Sequence, residues 1–152
     1  MADVDLPFME LALEQARLAA GRGEVPVGAV LVEAASGEVA ARAHNRVESL
    51  QDPTAHAEML VIREVATRLE MKRLPGFDLY VTLEPCAMCA AAVSLARLRR
   101  LCFGASDPKG GGVLHGARFF QQPTCHHRPQ VAGGLTEAAA SELLKAFFRQ
   151  RR

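Results

Sequence analysis

The sequence lacks any apolar run of membrane-spanning length, any basic N-terminal region, any low-complexity tract and any second CxxC pair. A spanning helix needs about 20 consecutive apolar residues, so none is expected, and with it no membrane partner. The acidic start MADVDLPFME has no positive flank of the kind a secretory signal carries, and the cytoplasm is the expected location. No internal repeat or linker-like stretch divides the chain, so residues 1–152 read as one domain. Biased composition is also missing, which excludes a disordered chain, a collagen or a long coiled coil. What is present is ordinary for a globular protein: 49% hydrophobic and 23% charged residues, enough over 152 positions for a real core.

Cysteine is sparse. Of the four, Cys86 and Cys89 form the single CxxC, while Cys102 and Cys125 stand alone and read as packing residues. In a reducing compartment, metal binding or free thiols are expected rather than two disulfides. The net charge of +1 hides an asymmetry: residues 1–96 carry a balance of −6 and residues 97–152 a balance of +7. A basic half suits a polyanionic partner if its residues converge in space, and equally suits a basic C-terminal helix packed on an acidic N-terminal one.

Hydrophobic spacing predicts a helix over residues 5–21, closed by Gly21-Arg22-Gly23. Val25–Glu33 and Glu38–Asn45 read as a hairpin, turned at Ala35-Ser36-Gly37. Asp52-Pro53-Thr54 resembles a helix start, capped by Asp52 or Thr54 and running to about Leu69. Leu79–Leu83 reads as a buried strand, followed by a helix from Pro85 or Cys86 to Ala96 and a strand at Leu101–Ala105. The Gly110-Gly111-Gly112 loop, a short helix ending near Phe119, a weak strand at Gln130–Ala132 and a terminal helix capped by Thr136 complete the order. Strand–helix–strand–helix after a hairpin predicts an α/β fold, a three-layer α/β/α sandwich around a mixed five-stranded sheet.

Two motifs carry chemistry. His56-Ala57-Glu58 and Pro85-Cys86-Ala87-Met88-Cys89 together offer three ligands, His56, Cys86 and Cys89. Three protein ligands with an open fourth position describe a catalytic zinc rather than a closed structural one. Cys125-His126-His127 is the weaker alternative source of ligands, and a redox CxxC is disfavoured because it follows a later strand. Cys86 and Cys89, three apart on a first helical turn, share one face, and the helix N-terminus favours their thiolates. His56 and Glu58, two apart, do so only if His56 lies in the opening turn. Two thiolates offset the charge of Zn²⁺, so a nearby carboxylate, Glu58, is needed to accept the proton of the attacking water.

HxE joined to PCxxC, with 27 residues between Glu58 and Cys86, resembles the zinc-dependent nucleoside and nucleobase deaminases of the cytidine/deoxycytidylate deaminase superfamily. Within that superfamily the chain is most similar to the branch that edits adenosine in tRNA. The likeness covers EVPVGAVLV at 24–32, Asn45, DPTAHAE at 52–58, LYVTLEPCAMCAAA at 79–92, RLRRLCFGASDPKGG at 97–111 and FFRQRR at 147–152, while Val113–Arg128 departs from the pattern. The resemblance implies a cytidine deaminase-like fold, Zn²⁺ as cofactor, a homodimer, and hydrolysis of adenosine to inosine at the wobble position of a tRNA anticodon stem-loop. It implies Glu58 as the proton shuttle and His56, Cys86 and Cys89 as ligands. Asn45 would contact the target nucleotide, the Ala57 and Cys86 amides would steady the polar intermediate, and Asp107 and Lys109 would border the nucleic acid. Among Phe147, Phe148, Arg149, Arg151 and Arg152, one phenylalanine, Phe148, is expected to touch RNA, the other to pack. Arg97, Arg99 and Arg100 read as a solvated helix end, and His115, His126 and His127 as surface or loop residues. Guanine and cytosine deaminases share the joined motif and are the competing reading. A non-catalytic zinc-containing RNA-binding subunit is a further one, disfavoured because Glu58 is present.

Overall fold

A computed structural model describes residues 2–151; Arg152, one of the basic residues expected at the RNA, lies outside them. Helix α1 spans Ala2–Gly21, and strands β1 (Gly28–Glu33) and β2 (Glu38–His44) form the hairpin. A short α2 (Val47–Leu50) precedes α3 (Ala57–Leu69), β3 (Phe77–Leu83), α4 (Ala87–Leu95) and β4 (Arg100–Ala105). A 3-10 turn at Phe119–Gln121, β5 (Gln130–Gly133) and α5 (Glu137–Gln150) complete the chain.

The five strands form one mixed sheet in the order β2-β1-β3-β4-β5. β1 is antiparallel to both β2 and β3, while β3, β4 and β5 run parallel. Side-chain alternation along the strands sorts the core into two layers. Val30, Val32, Tyr80 and Cys102 pack with Met9 and Ala12 of α1. Ala29, Leu31, Leu79, Val81, Leu101 and Phe103 pack with Ala57, Val61 and Val65 of α3 and with Ala90 and Val93 of α4. α5 joins α1 on its face through Ala140, which clusters with Leu13 and Ala105. The three-layer sandwich is therefore built on burial from both faces, as the element order predicts.

This topology puts four chain ends on one rim. β2, β3 and β4 point the same way, so Asn45, Glu84 and the loop after Ala105 emerge together, beside the residues that lead into β1. Ligand crevices in open α/β sheets form at such carboxyl ends.

Several local expectations are corrected. Asp52 does not start a helix. Its carboxylate accepts the Thr54 N–H at 2.8 Å and the Thr54 hydroxyl at 2.7 Å, closing a tight turn, and α3 begins at Ala57. Thr136 precedes α5 but does not cap it, because its hydroxyl turns back to donate to the Leu135 carbonyl and its backbone is left-handed. Arg99 and Arg100 lie past the end of α4 and are paired: Arg99, itself exposed, bonds buried Asp78, and part-buried Arg100 grips Asp5 of α1 with two bonds of 2.6 and 2.8 Å. His115 and His127 do lie in loops, and there they are bonded, to Glu84 at 2.8 Å and to the Leu98 carbonyl at 2.6 Å. No helix among the described residues is long and apolar enough to cross a membrane.

Candidate metal centre and active site

His56 is the N-cap of α3 and Cys86 the N-cap of α4, both with extended backbone and neither using its side chain to cap. The two helix starts therefore face one another with their cap side chains free, and Cys89 comes round onto the same side one turn into α4. His56 Nδ1 lies 3.7 Å from Cys86 Sγ and 3.4 Å from Cys89 Sγ, and the three atoms all fall within 4.8 Å of one another. Tetrahedral zinc with bonds of about 2.0–2.3 Å to N and S has ligand–ligand edges of about 3.3–3.8 Å, so the observed separations fit that ion. One imidazole and two thiolates are also the donor set zinc favours. Among the described residues this is the one cluster of three such groups.

Electrostatics at the trio are coupled. The Cys86 thiol is lowered to about 4, because Cys89 and then His56 donate to its sulfur against the opposing effect of burial. Cys89, donating to Cys86 and buried, is pushed far above the ordinary thiol range, and His56 is raised chiefly by its bond to Cys86. A bound divalent cation takes the second thiol to thiolate as well. Glu58, the second residue of α3, is 4% exposed, and burial raises its carboxyl. A carboxyl so placed can hold a proton and return it, as a proton shuttle must.

His56 and Cys86 line a cleft of 830 Å³, with Cys89 fully buried behind them. Its walls include Glu24, Asn45, Glu58, Glu84, Asp107 and Gly110, with Phe147, Phe148 and Arg151 of the C-terminal segment along one side. Asn45 is buried and its Oδ1 accepts the Ala57 N–H at 2.9 Å. The expectation that this N–H is a free donor to substrate is corrected: a buried helix start must satisfy its first amides, and Asn45 supplies the acceptor. What Asn45 retains for a ligand is its NH₂ group. Asp107 reaches the cleft wall while its Oδ1 accepts the Lys109 and Gly110 N–H groups, and Lys109 is exposed on the outside of that turn, away from the lining. Phe148 is 49% exposed, whereas Phe147 is buried with the Arg151 guanidinium 3.9 Å over its ring. Cys102 and Cys125 are buried in the two core layers, and Cys125, held against Ser94 and the His127 carbonyl, is not part of the His56–Cys86–Cys89 group.

Two buried glutamates escaped the sequence reading. Glu24 accepts the Glu48 and Ser49 N–H groups at 3.0 and 2.7 Å, fastening α2 to the rim. Burial would raise the Glu84 carboxyl, but backbone N–H donors from Asp107, Leu114 and Val113 together with His115 hold it below the usual range. The available signal was modest: a Glu directly before Pro-Cys, inside a run otherwise apolar.

The description of the cytidine and deoxycytidylate deaminase zinc-binding region matches residues 3–105. A tRNA-specific adenosine deaminase of Agrobacterium fabrum is 61% identical over 95% of this chain and 94% of its own length. The Aquifex aeolicus protein of the same name is 48% identical over the same shares. A solved structure from a study of A-to-I editing by tRNA:A34 deaminases superposes with a TM-score of 0.88 at 61% identity, covering 91% of this chain and 99% of that one. Guanine deaminase from Nitrosomonas europaea has the same architecture at greater distance, with a TM-score of 0.80 and 25% identity over 92% of this chain and 82% of that one. With likeness of that extent, the chain belongs to the zinc-binding cytidine and deoxycytidylate deaminase family, whose cofactor is zinc, and groups there with the proteins named tRNA-specific adenosine deaminase.

Proposed function

We propose that this chain hydrolyses adenosine to inosine at the wobble position of a tRNA anticodon loop, acting in the cytoplasm as a homodimer of one-domain subunits. The observation that carries the reading is the His56–Cys86–Cys89 trio at tetrahedral spacing, its His56 and Cys86 lining, with buried Glu58, a cleft walled by Phe148 and Arg151. His56 Nδ1, Cys86 Sγ and Cys89 Sγ hold the zinc, which when bound supplies Lewis-acid activation of water. Glu58 accepts the proton of the attacking water and delivers it to N1 of adenine. It then helps protonate the departing amine, so that the C6–N bond breaks, ammonia leaves and a C6 carbonyl remains. The Cys86 N–H, at the start of α4, steadies the developing charge.

Around the base, the Asn45 NH₂ orients the target nucleotide, and Asp107 and Lys109 border the flanking RNA. Phe148 offers a stacking surface, with Arg149 and Arg151 toward phosphate. A duplex buries adenine in its stack, so the target is a loop base flipped into the cleft. Identity separates this reading from a free-base enzyme: 61% to a tRNA-specific deaminase against 25% to a guanine deaminase.

The test is an inosine assay with bulk tRNA, an anticodon stem-loop, and free adenine, guanine and cytosine, alongside RNA titrations at several salt concentrations. Inosine in the loop, with affinity falling as salt rises, is the expected result, because each neutralised phosphate releases counterions. Efficient turnover of a free base with tRNA ignored and salt-independent binding would establish the nucleobase deaminase instead.

A further inference from the structure

Glu84 is the most heavily bonded side chain of the cleft, and nothing in the deamination chemistry uses it. Its side chain is fully buried, between Leu83 at the end of β3 and Pro85 before the ligand Cys86. Oε1 accepts the Asp107 N–H at 2.9 Å and lies 2.8 Å from His115 Nδ1. Oε2 accepts the N–H groups of Val113, Leu114 and His115 at 3.1, 2.8 and 3.2 Å. One carboxylate thus closes both ends of the 107–115 loop onto the peptide segment that carries a metal ligand. The loop is shaped to let it in: a Cβ on Gly111 would collide with the Glu84 carboxylate and come within 2.6 Å of the Asp107 carbonyl. Gly112 lies equally close over the start of α4, its N–H donating to the Pro85 carbonyl at 2.8 Å.

We propose that Glu84 is a positioning residue for substrate: by holding the 107–115 loop in one register with the metal site, it presents the Asp107 and Gly110 wall of the cleft to RNA already formed. The inference rests on the tRNA reading above for the identity of the ligand. A wall ordered before binding escapes the entropic cost of ordering it in the complex. Removing the acceptor orphans several N–H donors at once, those of buried Val113 among them, so the loop must open to hydrate them. Loss of such a positioning group raises KM for the macromolecular substrate and leaves the chemical step nearly intact.

Zinc-loaded full-length Glu84→Gln and Gly111→Ala test it. Gln keeps the volume but turns an NH₂ toward one set of donors; Ala at 111 pushes the loop off from the other side with Glu84 in place. Both are expected to raise KM for tRNA about tenfold or more, with kcat within about threefold of wild type. Zinc should stay at one per chain. Amide hydrogen exchange at 107 and 113–115 should quicken by about tenfold or more without RNA present. Unchanged exchange at those amides in Glu84→Gln overturns the inference whatever the substrate. So does a collapse of kcat with zinc loss and unchanged KM, which would make Glu84 a support for Cys86 alone, or an unchanged KM in Gly111→Ala. Failure of the wild-type chain to act on tRNA overturns instead the functional reading on which the inference rests.

Discussion

Asn45 shows how one side chain serves the fold and the site together. Its Oδ1 satisfies the Ala57 N–H, the first amide of the helix that presents His56 and Glu58. Asn45→Ala leaves that buried donor without an acceptor, so urea denaturation should show a loss of about 1–3 kcal/mol even with no substrate present. Glu58 makes the opposite demand: it is buried, and burial raises its carboxyl, the setting of the proton-transfer role proposed for it. Glu58→Gln should keep zinc at one per chain and RNA affinity near wild type, while deamination falls by about 10²–10⁴-fold or more. Metal analysis and an inosine assay on the same preparation separate those effects.

Among the elements, two helix starts make the candidate metal centre and one terminal helix divides its aromatics. His56 and Cys86 are N-caps whose side chains are released from capping, so the positive ends of α3 and α4 both favour the thiolates between them. On α5, adjacent phenylalanines have different fates: Phe147 is 6% exposed and Phe148 is 49% exposed, their rings meeting edge-on at 5.3 Å. Phe147→Ala should cost about 3–5 kcal/mol of stability, measured by denaturant unfolding. Phe148→Ala should leave stability within about 1 kcal/mol and weaken stem-loop binding by about 1–3 kcal/mol in an equilibrium titration, the worth of one stacked base.

At the scale of the whole molecule, the N-terminal helix is fastened to the sheet by an ion pair between buried Asp5 and part-buried Arg100, 95 residues apart in the chain. The guanidinium holds the Asp5 carboxyl below its usual range, opposed by burial and helped by the Tyr80 hydroxyl at 2.7 Å. A depressed carboxylate stabilises the fold fully above its unfolded value of about 4, and that contribution is lost as pH falls through the folded value. Wild-type stability should therefore drop on acidification below about pH 4, and Asp5→Asn should flatten that limb while costing about 3 kcal/mol at neutral pH. Thermal melts of both proteins across about pH 2–7, from the acid limb to the neutral plateau, check it.

Two of the ten basic residues in positions 97–152, Arg99 and Arg100, are already paired with Asp78 and Asp5 of the acidic half before any phosphate is met.

From sequence alone came the order of the five strands and the longer helices, though not the short α2 or the 3-10 turn at Phe119–Gln121, with the three layers, the joined HxE and PCxxC motifs, and through them zinc and the deaminase family. These are local or periodic properties: apolar spacing dictates which faces are buried, and a ligand triplet with its spacing is written along the chain. Only the tertiary structure decided how donors are shared. Asp52 closed a bend on Thr54, Asn45 took the Ala57 amide, Arg99 and Arg100 took buried aspartates, and Glu84 gathered a loop 23 to 31 residues away. A polar side chain of a given type has many potential partners at equal sequence cost. Which one it bonds depends on what the packed sheet and helices bring within about 3 Å, a length that spacing along the chain does not encode.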